Sequence, residues 1–230
     1  MQPHTTEAPP SSERRLPMTY AEYRAWHDEG AHGEWVNGEV IVFMSPKDIH
    51  QAIIGFLFRL IAEFTDLMQL GEVRVAPLEM RARLDGPARE PDIFFVAHER
   101  RAWLTNERLN GPADLAIEVI SDESASRDRI DKFYEYQDAG VHEYWIIDPR
   151  PGKQRIDLYT LLGDGRYQAI IPDAQGWYHS IALADFRLRA EWFWQEQLPE
   201  PLAALADVRG LAPETLATIR MLLLGNQGQP

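Results

Sequence analysis

The chain of 230 residues is 45% hydrophobic and 10% aromatic, enough apolar material for one full core, and it carries a formal net charge of −13 and no cysteine. That balance excludes disulfides, thiolate nucleophiles and cysteine-bound zinc, and it argues against a generally nucleic-acid-coating surface, because nonspecific affinity for phosphate comes from Lys and Arg. No apolar run reaches the roughly 18 to 20 residues that cross a bilayer, and Met1 to Pro17 lacks the basic-then-apolar order of a signal peptide, so a cytoplasmic protein with no membrane partner is expected.

Residues 1–17, rich in Pro, Ser, Thr and Glu, are expected to form a disordered tail, with structure starting at Met18. Thr19 is placed to cap a short helix over Tyr20-Ala21-Glu22-Tyr23-Arg24-Ala25-Trp26. Gly30 and Gly33 release the chain into Glu34 to Phe43, where Asn37-Gly38 between apolar stretches predicts a β-hairpin. From His50 to Met68 the residues Ile53, Leu57, Ile61, Phe64 and Met68 recur at helical spacing, and Gly71 follows as a stop. Glu72 to Leu84 alternates, with the parity changing around Pro77, which predicts one strand with a kink. Two apolar strands come next, around Asp92 and Glu118.

Ser126 to Ala139 predicts an amphipathic helix, with Ile130, Phe133, Tyr134 and Gln137 on one side and Asp128, Lys132 and Glu135 on another, closed by Gly140. Glu143 to Asp148 is a buried strand, followed by alternating Arg155 to Leu161, a turn at Gly163-Asp164-Gly165, and more strand signal through Tyr167 to Ile171 and Tyr178 to Leu183. Pro201 to Leu224 returns to helical periodicity. The order predicts an α/β sandwich around a mixed sheet, with a folded domain over 18–195 and a helical extension over 196–230.

Three residues stand out chemically. Asp92 follows Glu90-Pro91, Glu118 lies inside Leu115-Ala116-Ile117-Glu118-Val119-Ile120, and Lys132, one of only three lysines, follows on the next helix. A carboxylate buried among branched apolar residues costs several kcal/mol unless a cation compensates it, so two of them suggest Mg²⁺ or Mn²⁺ on oxygen ligands. Such a metal acidifies water and neutralises a phosphoryl group under attack. Plainer readings exist for each residue taken singly. Pro91-Asp92 also suits a strand-start turn, Lys132 a surface ion pair with Asp128, Glu34 a solvated hairpin opening, and His50 a helix cap. Neither a G-x-S-x-G element nor a glycine-rich phosphate loop is present.

Glu34-Trp35-Val36-Asn37-Gly38-Glu39-Val40, Met44-Ser45-Pro46, His50-Gln51, Glu90-Pro91-Asp92-Ile93, Leu115 to Ser121, Lys132-Phe133-Tyr134-Glu135-Tyr136 and Gly140 to Pro149 together resemble the Uma-type restriction endonuclease family of the PD-(D/E)XK nuclease superfamily. The resemblance covers about Met18 to Phe193. It implies a restriction-endonuclease-like core of helix, three strands, helix and strand, with a Mg²⁺ site at the sheet edge. It makes Asp92 the superfamily aspartate, Glu118 the second acid, and Glu34 and His50 flanking site residues. A strict D/E-X-K would put lysine at position 120, where this chain has Ile120; Lys132 matches a lysine supplied from the following helix.

The expected function is therefore Mg²⁺-dependent DNA cleavage, with Asp92 and Glu118 as metal ligands, Glu34, Asp92, Glu118 and Lys132 as the catalytic set, and a homodimer as the natural way to cut two strands. A second reading is a noncatalytic module that keeps the fold to bind nucleic acid or to assemble. A third makes the acids structural, satisfied by Arg74, Arg81 or Arg89.

Overall fold

A computed structural model describes residues 14–29, 32–42 and 48–224. Residues 1–13 of the expected tail, Gly30, Phe43, the Met44-Ser45-Pro46 motif and the last six residues lie outside them. Arg14–Pro17, expected within the disordered tail, is instead a strand (β1) paired with a later one.

Helix α1 (Tyr20–Asp28) starts where Thr19 and Glu22 cap each other reciprocally. Strands β2 (Gly33–Val36) and β3 (Glu39–Val42) form the expected hairpin. Its two turn residues have φ of 49° at Asn37 and 89° at Gly38, the left-handed pair that a two-residue turn demands. With β1 they make a three-stranded sheet in the order β1-β3-β2. This small sheet docks on the main body through Trp35, whose backbone exchanges two hydrogen bonds with Ala88. That contact sets Glu34 beside the segment leading to Asp92.

Helix α2 (Asp48–Met68) is followed by β4 (Gly71–Val75), β5 (Glu79–Met80), β6 (Ile93–Ala97), β7 (Arg108–Leu109), β8 (Leu115–Val119), α3 (Lys132–Ala139), β9 (Glu143–Asp148), β10 (Arg155–Leu161) and β11 (Tyr167–Ala169). Then come β12 (Trp177–His179), β13 (Arg187–Arg189), α4 (Pro201–Val208) and α5 (Pro213–Leu224). The main sheet has the order β11-β10-β9-β8-β6-β4. The expected single kinked strand over 72–84 is two strands in different sheets: β4 pairs with β6, whereas β5 pairs with β7. The parity change at Pro77 marks that switch.

Alternation along the central strands sorts side chains to two faces. Ile93, Phe95, Leu115, Ile117, Val119, Trp145 and Ile147 pack toward Ile53, Leu57, Ile61 and Phe64 of α2. The same cluster includes Trp192, Phe193, Ala204 and Val208, so α4 packs into the main core. The opposite residues Phe94, Val96, Ala116, Tyr144 and Ile146 face the side where α3 lies, and Tyr136 joins them. Each fully buried Leu, Ile or Phe contributes about 1.5–3 kcal/mol, so both faces are strongly held.

All neighbours in the main sheet are antiparallel except β8 and β9, which run parallel. A parallel pair needs a crossover of a dozen or more residues, and here the crossover is the segment that ends in α3. Chain direction thus obliges a helix to cross the sheet directly over Glu118. Among the described residues no helix is long and apolar enough to cross a membrane.

At the far end of β9, Asp148 accepts two hydrogen bonds at 2.8 Å from the Arg150 guanidinium and another at 3.2 Å from Arg129. Burial pushes its carboxyl up, but Arg150 and Arg129 outweigh that and hold it below the ordinary 3.8. A depressed folded-state pKa gives stability that is present above the unfolded value and lost as pH falls through the folded one. Asp148→Asn is therefore expected to cost about 1–2 kcal/mol at pH 7 and progressively less below pH 4, read by urea denaturation at both ends of that range.

Candidate active site

Strand β6 runs antiparallel to β8 with Ile93 opposite Ile117, so Asp92, one residue before β6, falls opposite Glu118. The Asp92 carboxylate accepts a 2.7 Å hydrogen bond from the Val119 backbone N–H. Both acids sit at strand ends in the middle of the sheet, not at a sheet edge as expected, because β8 and β6 are interior strands. The strand-start turn and the site are compatible readings of Pro91-Asp92.

Lys132 closes the set from α3. Its Nζ lies 2.8 Å from Glu34 Oε1, 2.8 Å from Glu118 Oε1 and 3.5 Å from Asp128 Oδ1. The expected surface ion pair with Asp128 exists but is not on the surface: Asp128, Lys132, Glu118 and Glu34 are all buried. Likewise Glu34 is not a solvated hairpin residue. Glu34 Oε2 accepts from Arg89 Nη1 at 2.8 Å, and its Oε1 also accepts from the Glu90 backbone N–H at 3.1 Å. Tyr136 donates to Glu118 Oε1 at 3.0 Å. Among the described residues, Glu118 Oε2 takes no hydrogen bond.

The predicted amphipathic helix is rolled about its axis. Ile130 and Tyr134 are 53% and 59% exposed, Phe133 still packs against the core on this side of the sheet, and Asp128, Lys132 and Tyr136 face inward. A π-helical stretch over Arg127–Asp131 precedes α3, and the Tyr144 hydroxyl donates to the Asp128 carbonyl at 2.9 Å. Single π turns are frequent at functional sites because they re-aim side chains at a cost in backbone geometry. Ser124, Asp128, Lys132 and Tyr136 recur every four residues, a polar stripe that the sequence displays and hydrophobic periodicity overlooks. Asp128, Arg127 and Tyr136 are the members that sequence reasoning missed as site residues.

His50, in the first turn of α2, places Nε2 3.4 Å from Asp92 Oδ2. Burial disfavours its charged ring, but Asp92 outweighs that and raises its pKa. The side chains of Asp92 and His50, 18% and 12% exposed, form the mouth of the site.

Charge explains the protonation states. Burial works against an ionised Glu34, but Lys132, Arg89 and Arg127 hold its carboxyl down to about 2. Burial pushes Glu118 well up, Lys132 opposes this, and Asp128, Asp92 and Glu34 push further. Asp128 is raised by burial as well. Five carboxyl groups (Glu34, Asp92, Glu118, Asp128 and Glu135) face three fixed cations (Arg89, Arg127 and Lys132), so ionising all five would leave a surplus of two negative charges before His50 is counted.

That surplus and the oxygen-rich donor set fit a hard divalent cation. No group of three or more acids or histidines among the described residues forms a ready-made cage, so the set fits an ion held by one or two carboxylates with waters completing its shell, as Mg²⁺ prefers. The arginines proposed to neutralise the acids go elsewhere: Arg74 to Glu72, Arg81 to the Leu84 carbonyl, and Arg89 to Glu34 and Glu135. Among the described contacts none reaches Asp92 or Glu118.

Residues 20–191 match the model of the Uma2 family, described as a putative restriction endonuclease. Among solved structures, the chain is similar to a putative nuclease belonging to DUF820 from Anabaena variabilis ATCC 29413, with a TM-score of 0.62 and 18% identity over 77% of this chain and 98% of that one. No curated protein matches the sequence.

Proposed function

Because the chain belongs to the Uma2 putative restriction endonuclease family, we propose that it is a Mg²⁺-dependent endonuclease that hydrolyses phosphodiester bonds in DNA. The observation that carries this reading is Lys132 Nζ held 2.8 Å from both Glu34 and Glu118, with Asp92 opposite Glu118 in the strand register. We read this as the acid-acid-lysine set of a phosphodiesterase, with Asp92, Glu118 and Lys132 drawn from three separate parts of the chain.

Asp92 and Glu118 would hold the metal, and Mn²⁺ should substitute for Mg²⁺. When bound, Mg²⁺ supplies positive charge at the phosphate and makes water more acidic. Lys132 offers its ammonium to the phosphate oxygens and stabilises the charge that grows on them. Glu34, ionised and weakly basic with its carboxyl near 2, is suited to keeping that ammonium charged and aimed rather than to abstracting a proton. His50 steadies Asp92 at the mouth. In the reaction a water oxygen bonds to phosphorus as one P–O ester bond breaks, and the water's protons pass to the released sugar hydroxyl and to solvent. Two copies related by a twofold axis would address both strands of a duplex.

The test is cleavage of supercoiled, linear and single-stranded DNA, and of RNA, with Mg²⁺ or Mn²⁺ against a chelator. Chelation is expected to abolish cleavage, and Asp92→Asn to slow it by about 100-fold or more. The acidic net charge favours the noncatalytic alternative. Absence of Mn²⁺ binding at millimolar concentration by calorimetry would turn the reading toward that alternative.

A further inference from the structure

Arg89 is a nearly fully buried guanidinium whose three nitrogens are all committed. Nη1 donates to Glu34 Oε2 at 2.8 Å, while Nε and Nη2 donate to the two oxygens of Glu135, each at 2.8 Å. Its backbone is fixed independently, since Arg89 and Met80 exchange hydrogen bonds of 2.7 and 3.2 Å. The fork therefore ties together three parts that chain order does not: strand β2 through Glu34, the segment entering β6 three residues before Asp92, and helix α3 through Glu135.

We infer that Arg89 is the positioning residue of this site, a two-sided clamp that sets Glu34 and helix α3 at the separation in which Glu34 and Glu118 straddle Lys132. The inference rests on the nuclease reading above for its kinetic consequences alone. Arg89 contacts neither Asp92 nor Glu118 among the described contacts, so its removal leaves the proposed metal ligands in place. Without it, Glu34 loses its 2.8 Å hydrogen bond on Oε2 and keeps there the longer 3.7 Å ion pair with Arg127, so it can swing about its Oε1 bonds, and Glu135, 26% exposed, has water as an alternative partner. Lysine cannot substitute, because one compact ammonium cannot serve a bidentate carboxylate and a second acid on its other side.

The first measurement is independent of activity. Lysine occurs only at positions 47, 132 and 153, so ¹⁵N-labelled lysine gives a spectrum in which a buried, paired ammonium stands apart. The wild type is expected to show one slowly exchanging Lys132 Nζ signal. Arg89→Lys and Arg89→Ala should broaden or lose it, as should Glu34→Gln, while thermal unfolding remains cooperative. The second is kinetic: Arg89→Lys should lower kcat by about 100-fold, the cost of a misplacement of the order of 1 Å, with KM for DNA and Mn²⁺ affinity within a few-fold of wild type.

Added methylguanidinium should restore a tenfold or greater share of the kcat lost in Arg89→Ala, whereas methylammonium at the same ionic strength should not. An unchanged Lys132 signal in both Arg89 variants, or full kcat in Arg89→Lys, overturns the inference. A wild type that shows the signal and its loss on substitution yet never cleaves nucleic acid removes the nuclease reading and leaves the clamp standing.

Discussion

Replacing Lys132 with methionine is expected to abolish cleavage, to lower stability by about 3–5 kcal/mol at pH 7, and to tighten rather than weaken Mn²⁺ binding. Methionine fills the stem's volume, so the change is mainly electrostatic. The wild-type ammonium answers two carboxylates at 2.8 Å and a third at 3.5 Å, all buried. Its loss strands Glu34, Glu118 and Asp128 with fewer cations, and uncompensated buried charge is among the costliest defects a fold can carry. The deficit should shrink as pH falls, because Glu118 and Asp128, both already raised, take up protons first. Metal affinity moves the other way, because a cation beside a ligand carboxylate competes with the ion that ligand would bind. Urea denaturation at two pH values and calorimetric titration with Mn²⁺ read all three. Unchanged Mn²⁺ affinity in a folded Lys132→Met protein would separate Lys132 from the metal site, and lost binding would overturn the expected competition.

Glu118→Gln is expected to leave the fold as stable as the wild type or more so at pH 7, while weakening Mn²⁺ binding by at least about 100-fold and eliminating cleavage. The amide oxygen can still accept from Lys132 and Tyr136, which both donate to Oε1, so packing and hydrogen bonding survive. Burial first, then the neighbouring acids, raise the wild-type carboxyl well above 4.5. A raised folded-state pKa for an acid means that stability declines as pH climbs from the unfolded value toward the folded one, so glutamine removes a penalty at neutral pH. Calorimetric titration with Mn²⁺ checks the affinity, and thermal melting checks the fold. A glutamine variant that binds Mn²⁺ as the wild type does would exclude Glu118 as a ligand.

The elements readable from the sequence were those whose signal is local. The Asn37-Gly38 turn, the Thr19-Glu22 cap and the apolar stripe of α2 each depend on residues within one or two turns of one another. Period-two alternation likewise puts Glu118 on the face of Phe94 and Ala116, which sets it under the crossover helix. What alternation does not carry is partner choice. Nothing between Glu72 and Leu84 says that β5 leaves the main sheet for β7, because that pairing is decided about thirty residues away. The same holds for Arg89, whose partners come from β2 and α3. Asp128 was misread for a different reason: a rule that sends apolar residues inward assigns Ile130 and Tyr134 to the core, and here the three carboxylate partners of Lys132, Asp128 among them, reverse it.

The rolled crossover helix has a consequence for how the molecule assembles. A helix that offers Asp128 and Lys132 to the interior and leaves Ile130 and Tyr134 outside gains little from early collapse, because charges lose hydration before they find partners. Its inward face becomes favourable only when β8, β2 and the Arg89 segment already stand in place to receive it. Docking of this segment is then expected to come late, on a preformed sheet, and reversing it should expose few contacts of the α2 core, which packs on the opposite face. Of the candidate site, Asp128, Lys132 and Tyr136 ride on that segment, while Glu34, Asp92 and Glu118 stay with the sheets.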